Sequence, residues 1–182
     1  MANPGHSLSP DPSGSQPLAR PVALAPADLL AQRLAIGVPA LLIAGAYVSE
    51  YGFGLYPCEM CWWQRYAHFV AIALALLSTR VAPRALLPFA ALAIMISGLI
   101  GLFHAGVEYG WWEGVTGCAN AAGVSGGAGG DPLEAIMNAP LVRCDEAPWR
   151  LLGVSLAGWN ALLSFFAGLA ISRLLGLRSA RG

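Results

Sequence analysis

The sequence predicts an all-α protein, a four-helix transmembrane bundle with a short helix in its long second outer loop. Three observations predict it. The 182-residue chain is 57% hydrophobic and only 11% charged, far more apolar than a soluble domain of this size. Its apolar residues gather into four segments of near-membrane length. Its arginines, in a chain without lysine, collect mainly on one side of those segments. The formal net charge is zero, so no global field points to nucleic acid as a partner.

Residues 1–33 read as a disordered cytoplasmic tail. The first of them are rich in Pro, Ser and Gly and carry no apolar period. They make a poor secretory signal, because the apolar run begins late and no cleavage site leads into a soluble domain. The first span runs from Leu34 to Ser49, about 24 Å of helix at 1.5 Å per residue. Tyr47, Tyr51 and Tyr56 lie at its outer end and complete the crossing in the headgroup layer. The second span covers about 62–79, with Arg65 inside the outer interface. The third, Ala85 to Val107, has no charged residue and is long enough alone. The fourth covers about 151–172, and residues 173–182 form a cytoplasmic tail. Internal Pro39 is tolerated in a membrane helix.

Orientation follows from arginine placement. Arg20, Arg33, Arg80, Arg84, Arg173, Arg178 and Arg181 fall on one side, which the positive-inside rule makes cytoplasmic. Arg143 and Arg150 fall on the other, with Arg65 at its edge. Both termini are then cytoplasmic, and the outer loops are 50–61 and 108–150. In the second loop, Gly123 to Gly130 form a flexible tract. Asp131-Pro132-Leu133-Glu134 follows as a helix start, with Asp as N-cap, Pro at N1 and Glu at N3. Leu133, Ile136 and Met137 share one face of that short helix, which lies on the bilayer or packs on the protein.

All four cysteines, Cys58, Cys61, Cys118 and Cys144, land outside, where disulfides persist. Four cysteines allow three intramolecular pairings. Spacing favours Cys58 with Cys61 and Cys118 with Cys144. Cys58-Glu59-Met60-Cys61 sits at the mouth of the second span, where orphan N–H groups and the helix dipole favour a thiolate. Arg65 lies on the face of Cys61 at i+4. Such a pair opens and closes with little backbone movement. The same spacing also serves as half a zinc site or as a structural disulfide. Zinc needs four converging ligands, and Cys118 and Cys144 lack the spacing to supply the other half; no metal is expected. The glycine tract argues that the second pair is carried on a moving loop rather than clamped.

Arg65 either snorkels or stabilises charge beside the thiols. Trp62, Trp63, Trp111 and Trp112 are interfacial anchors first. His104 either meets a ligand or is a hydrogen-bonded interior histidine. His68, one turn inside Arg65, carries a weaker signal, and Met60 and Met95 read as packing.

Pro57-Cys58-Glu59-Met60-Cys61 with Trp62-Trp63-Gln64-Arg65, on four spans and with a second outer cysteine pair, resembles the DsbB family of membrane disulfide-forming oxidoreductases. Leu102-Phe103-His104-Ala105-Gly106-Val107-Glu108 and Gly153-Val154-Ser155-Leu156-Ala157-Gly158-Trp159-Asn160 are similar to its alpha-proteobacterial branch. The resemblance covers about residues 34–172. It implies a bacterial inner-membrane enzyme that reoxidises a periplasmic, DsbA-like thioredoxin-fold partner. Cys118 then matches the cysteine that forms the mixed disulfide, with Cys144 its mate. Cys58 and Cys61 receive the electrons, and Cys61 and Arg65 match the quinone site, with His104 a looser match. Ubiquinone is the implied acceptor, menaquinone its anaerobic substitute. A vitamin K epoxide reductase-like enzyme is the nearest alternative, although there the CxxC follows the loop pair. A tetraspanin-like scaffold with structural loop disulfides is another, with no use for a CxxC beside Arg65.

Overall fold

The computed structural model describes residues 26–81, 83–115, 120–121 and 141–179. Among them are four long helices: α1 (Pro26–Phe53), α2 (Glu59–Leu77), α3 (Pro83–Glu108) and α4 (Leu156–Ser179). Three are long and apolar enough to cross a membrane, within Pro26–Phe53, Ala85–Glu108 and Leu156–Gly176. The chain is thus mostly helical with membrane-crossing segments. α2 falls short of that standard, because its outer half carries Glu59, Gln64, Arg65 and His68.

Several boundaries differ from the sequence expectation. α1 begins at Pro26 rather than Leu34, so residues 26–33 are helical and not part of a disordered tail. Proline suits the first helical position, and Asp28 in the first turn favours the dipole. Ala31 and Ala35 are fully buried, so packing extends the helix inward. At the other end α4 continues to Ser179, through what was expected to be tail. The fourth span starts at Leu156, because residues 150–155 form an antiparallel pair of two-residue strands, β3 (Arg150–Leu151) and β4 (Val154–Ser155). Leu152 and Gly153 turn that hairpin at φ 54° and 81°, the left-handed pair that a tight hairpin requires. A second ladder joins β1 (Asn120–Ala121) to β2 (Leu141–Val142), so the chain is not purely α. The short helix expected near Asp131 to Met137 lies outside the described residues.

The bundle core is built on small side chains. Ala31, Ala35, Ala71, Ala75, Ala90 and Ala91 form one buried cluster with Leu87, Ile94 and Ile171. Small residues let helix backbones approach closely where lipid removes the hydrophobic drive to associate. At Gly101 α3 runs close against the α4 backbone, since an added Cβ would stand 2.9 Å from the Ala157 carbonyl and 2.9 Å from Asn160 Nδ2. Large apolar side chains point outward instead, among them Leu41, Phe89 and Phe166. A buried hydrogen bond of 2.9 Å from Gln32 to Ser78 ties α1 to the end of α2. Tyr109 clamps the hairpin: its hydroxyl donates to the Gly153 carbonyl and accepts from the Ser155 N–H.

Candidate active site

Cys58 is the N-cap of α2, with its backbone extended and its sulfur accepting the Cys61 N–H. The CxxC spacing therefore folds both thiols onto the open N-terminus of one helix. Their Sγ atoms stand 3.0 Å apart, Cys58 donating to Cys61. Cys58 is buried, whereas Cys61 is partly open. The hydrogen bond to Cys61 and burial push the Cys58 thiol above its usual range, with His104 opposing them. Cys58 thus keeps its proton, and Cys61 is the sulfur that receives a hydrogen bond.

Arg65 lies in the same region but is occupied differently from the expectation. Its guanidinium pairs with Glu50 at 2.6 Å and donates to the Ala46 carbonyl at 3.3 Å. It also lies over the Tyr47 ring at 4.8 Å and the Trp62 ring at 4.9 Å. The planar cation is held between α1 and α2 as a fixed plate, a use that suits arginine and not lysine.

His104 comes from α3 and is buried beside the thiols. Its Nε2 stands 3.5 Å from Cys58 Sγ and 3.7 Å from Glu108 Oε1. Its Nδ1 meets the Gln64 amide nitrogen at 3.0 Å. That same nitrogen donates to the Met60 carbonyl, which only accepts, so Gln64 presents N–H to His104. Nδ1 must then be the acceptor, and Nε2 carries the proton toward Cys58 and Glu108. The network continues inward. Asn160 Nδ2 donates to Gln64 Oε1 at 2.9 Å and to the Ser97 carbonyl at 3.2 Å. Asn160 Oδ1 meets His68 Nε2 at 2.8 Å. One chain of hydrogen bonds so runs from Cys58 through His104, Gln64 and Asn160 to His68.

These groups wall a cavity of about 360 Å³ with a mainly apolar lining, within the range of small-molecule sites. Cys61, Gln64, Arg65, His68, His104 and Glu108 all contribute to it. The residues at its bundle-facing side come from four helices, so no single stretch of sequence marks it.

Cys58, Cys61 and His104 also place three ligand atoms within 4.8 Å of one another. Two features count against a metal there. The 3.0 Å sulfur separation is closer than the roughly 3.8 Å that two thiolates keep on a tetrahedral zinc with bonds of about 2.3 Å. Metal at Nε2 would also move the His104 proton to Nδ1, against the Gln64 N–H.

Of the second pair, Cys118 lies outside the described residues. Cys144 is buried and packs with Cys58, Met60 and Val107. Cys144 thereby lies against the CxxC.

The sequence profile described as disulfide bond formation protein DsbB matches residues 30–174. The chain belongs to the DsbB family. Membership places it among membrane oxidoreductases that act on disulfides. It is similar to a disulfide bond formation protein B of Verminephrobacter eiseniae, at 31% identity over 81% of this chain and 86% of that one. Another, from Marinobacter nauticus, is 31% identical over 71% of this chain and 80% of its own length. An uncharacterised protein of Rickettsia prowazekii is 24% identical over 71% and 77%. No solved structure matches the chain.

Within this DsbB-family site, sequence reasoning singled out Cys58, Cys61, Arg65 and His104, and the fold gathers all of them. It missed Glu50, Gln64, Glu108 and Asn160. A polar residue within an apolar helix is the available signal for Gln64 and Asn160; Glu50 and Glu108 read only as outer-face acids.

Proposed function

We propose that this chain reoxidises a periplasmic, DsbA-like dithiol partner and passes the electrons through two cysteine pairs to a membrane quinone, ubiquinone or menaquinone. The observation that carries this reading is the Cys58–Cys61 pair, 3.0 Å apart, with Cys61 opening on a largely apolar cavity that Arg65 and His104 also line. A structural disulfide has no use for such a cavity.

The cavity fits a flat apolar ring with polar edges. Its lining is mostly carbon, and two of its wall residues hold buried polar atoms without a partner among the described residues, His68 Nδ1 and Glu108 Oε2. A quinone bound there supplies a sink for two electrons and two protons. Arg65 offers fixed positive charge at the wall, held in place by Glu50 and two rings. His104 directs its Nε2 proton at Cys58 and supports charge on sulfur while the disulfide forms. Cys58 gives up the thiol proton it holds in the reduced pair.

On the soluble side, a thiolate of the partner attacks a Cys118–Cys144 disulfide at Cys118 and Cys144 leaves as thiolate; the partner's second thiol then displaces Cys118, so the partner leaves oxidised and the pair is left as two thiols. The packing of Cys144 against Cys58 supports exchange between the pairs. These roles set the four cysteines on the periplasmic face of the bacterial inner membrane with both termini in the cytoplasm.

Purified protein in detergent should reduce ubiquinone only when a reduced DsbA-like partner is supplied. Cys61→Ser should abolish that turnover. Quinone reduction retained by Cys61→Ser would overturn the path.

A further inference from the structure

His68 has no task in the disulfide chemistry, yet it is 2% exposed in a wall of the cavity. Its protonation pattern is fixed by neighbours that have no choice. Asn160 Nδ2 faces the Ser97 carbonyl, so Asn160 Oδ1 is the atom turned to His68. Ser164 Oγ donates to the same oxygen at 3.2 Å, which confirms its acceptor role. A neutral His68 must therefore donate from Nε2, leaving Nδ1 as a bare acceptor. That Nδ1 is buried without a hydrogen-bond partner. Buried polar groups are rarely left so in native proteins, and the orphan sits on a residue that lines a ligand-sized cavity. Glu108 Oε2, the other orphan, belongs to the same wall.

An acceptor distinguishes between the two redox forms of a quinone. The oxidised ring presents carbonyl oxygens, which also accept. The reduced ring presents hydroxyls, which donate. We propose that His68 Nδ1 accepts a hydrogen bond from a ring hydroxyl of the bound hydroquinone, so that the cavity holds the reduced ring more tightly than the oxidised one. This rests on the quinone reading above and adds a direction to it. In the overall exchange two thiols lose two electrons and two protons as one S–S bond forms, and both ring carbonyls become hydroxyls. A site that favours hydroxyls draws that exchange toward disulfide, at the cost of slower release of the product.

The test is equilibrium dialysis of the full chain in detergent, in its oxidised state, against a short-chain ubiquinone, its quinol under argon, and the quinol's dimethyl ether. Wild-type protein should prefer quinol to both quinone and ether. In His68→Phe the ratio of quinol to quinone affinity should fall by about three- to tenfold, the worth of one hydrogen bond. His68→Gln, whose amide oxygen can accept, should recover part of the ratio. Stoichiometric oxidation of a soluble dithiol by each pre-oxidised variant shows that it is folded. Should His68→Phe fail that check, the ratio in His68→Gln decides, and it must lie between wild type and unity. An unchanged ratio, or equal loss of both ring forms, overturns the proposal while leaving the quinone reading intact. Absence of binding of any ring by wild type overturns both.

Discussion

Glu50 and Arg65 form an ion pair at 2.6 Å across α1 and α2, with side chains only 12% and 6% exposed. Withdrawn from water, neither charge tolerates loss of the other. Glu50→Gln should therefore destabilise the protein by about 3–5 kcal/mol, read as thermal unfolding in detergent. The double variant Glu50→Gln/Arg65→Gln should cost less than the two single losses combined. Strict additivity would show that the pair does not hold the helices together.

Arg65→Lys keeps the charge but loses the planar stack on Tyr47 and Trp62. At the wall of the cavity this should raise the apparent KM for quinone more than it lowers stability. Steady-state kinetics beside thermal unfolding separates the two effects.

Gly101 lets α3 approach α4 where Asn160 bridges Gln64 and Ser97. Gly101→Ala places a methyl against the Ala157 carbonyl and the Asn160 amide, neither of which is a flexible chain end. Forced separation of packed elements costs about 1–3 kcal/mol. The larger effect should fall on the network: His104 loses the Gln64 support that fixes its proton, and turnover should drop more than thermal stability does. Gly37→Ala is the control, since nothing lies within 4 Å of a Cβ there and the residue does not line the cavity, and it should behave as wild type.

The parts of the site carried by local spacing were legible in the sequence. Cys58 and Cys61 are one turn apart on a helix mouth, and the helix that puts them there follows from composition. Segment length and composition gave the long apolar helices, three of which can cross a membrane. The parts that depend on distant pairing were not legible. Asn160 meets Gln64 across 96 positions and His68 across 92, and no periodicity encodes such a meeting. Arg65 was expected to serve Cys61 because i+4 neighbours share a helix face, but Glu50 on another helix offers it full charge and captures it. The start of α1 was missed for a related reason: the apolar run begins only at Leu34, after Arg33, so residues 26–33 read as tail, while burial of Ala31 in the bundle core holds the segment in place.

The reduced CxxC should be chemically unequal. Cys58 is buried and its pKa is raised, so its thiolate fraction at neutral pH is small and grows only as pH climbs beyond the ordinary thiol range. Cys61 receives its hydrogen bond and is the more open of the two. Limited alkylation of the reduced protein at pH 7, mapped by mass spectrometry, should mark Cys61 well before Cys58. Prior labelling of Cys58 would reverse the assigned roles.

The order of transfer between the two pairs can be read from covalent trapping. If Cys118 meets the soluble partner, then in Cys144→Ser its free thiolate attacks the disulfide of an oxidised partner, and the neighbouring thiol that would displace that partner is gone, so the mixed disulfide stands. A partner of DsbA type should accumulate on Cys144→Ser, linked through Cys118, and be released by reductant. Cys118→Ser should trap nothing. The buried position of Cys144 against Cys58 explains the asymmetry, because a soluble protein cannot reach a sulfur covered by Met60 and Val107, whereas Cys58 and Cys61 can. A scaffold with structural disulfides would give no covalent partner in either variant, and a complex forming on Cys118→Ser through Cys144 would reverse the relay. Non-reducing electrophoresis followed by peptide mapping decides among the three.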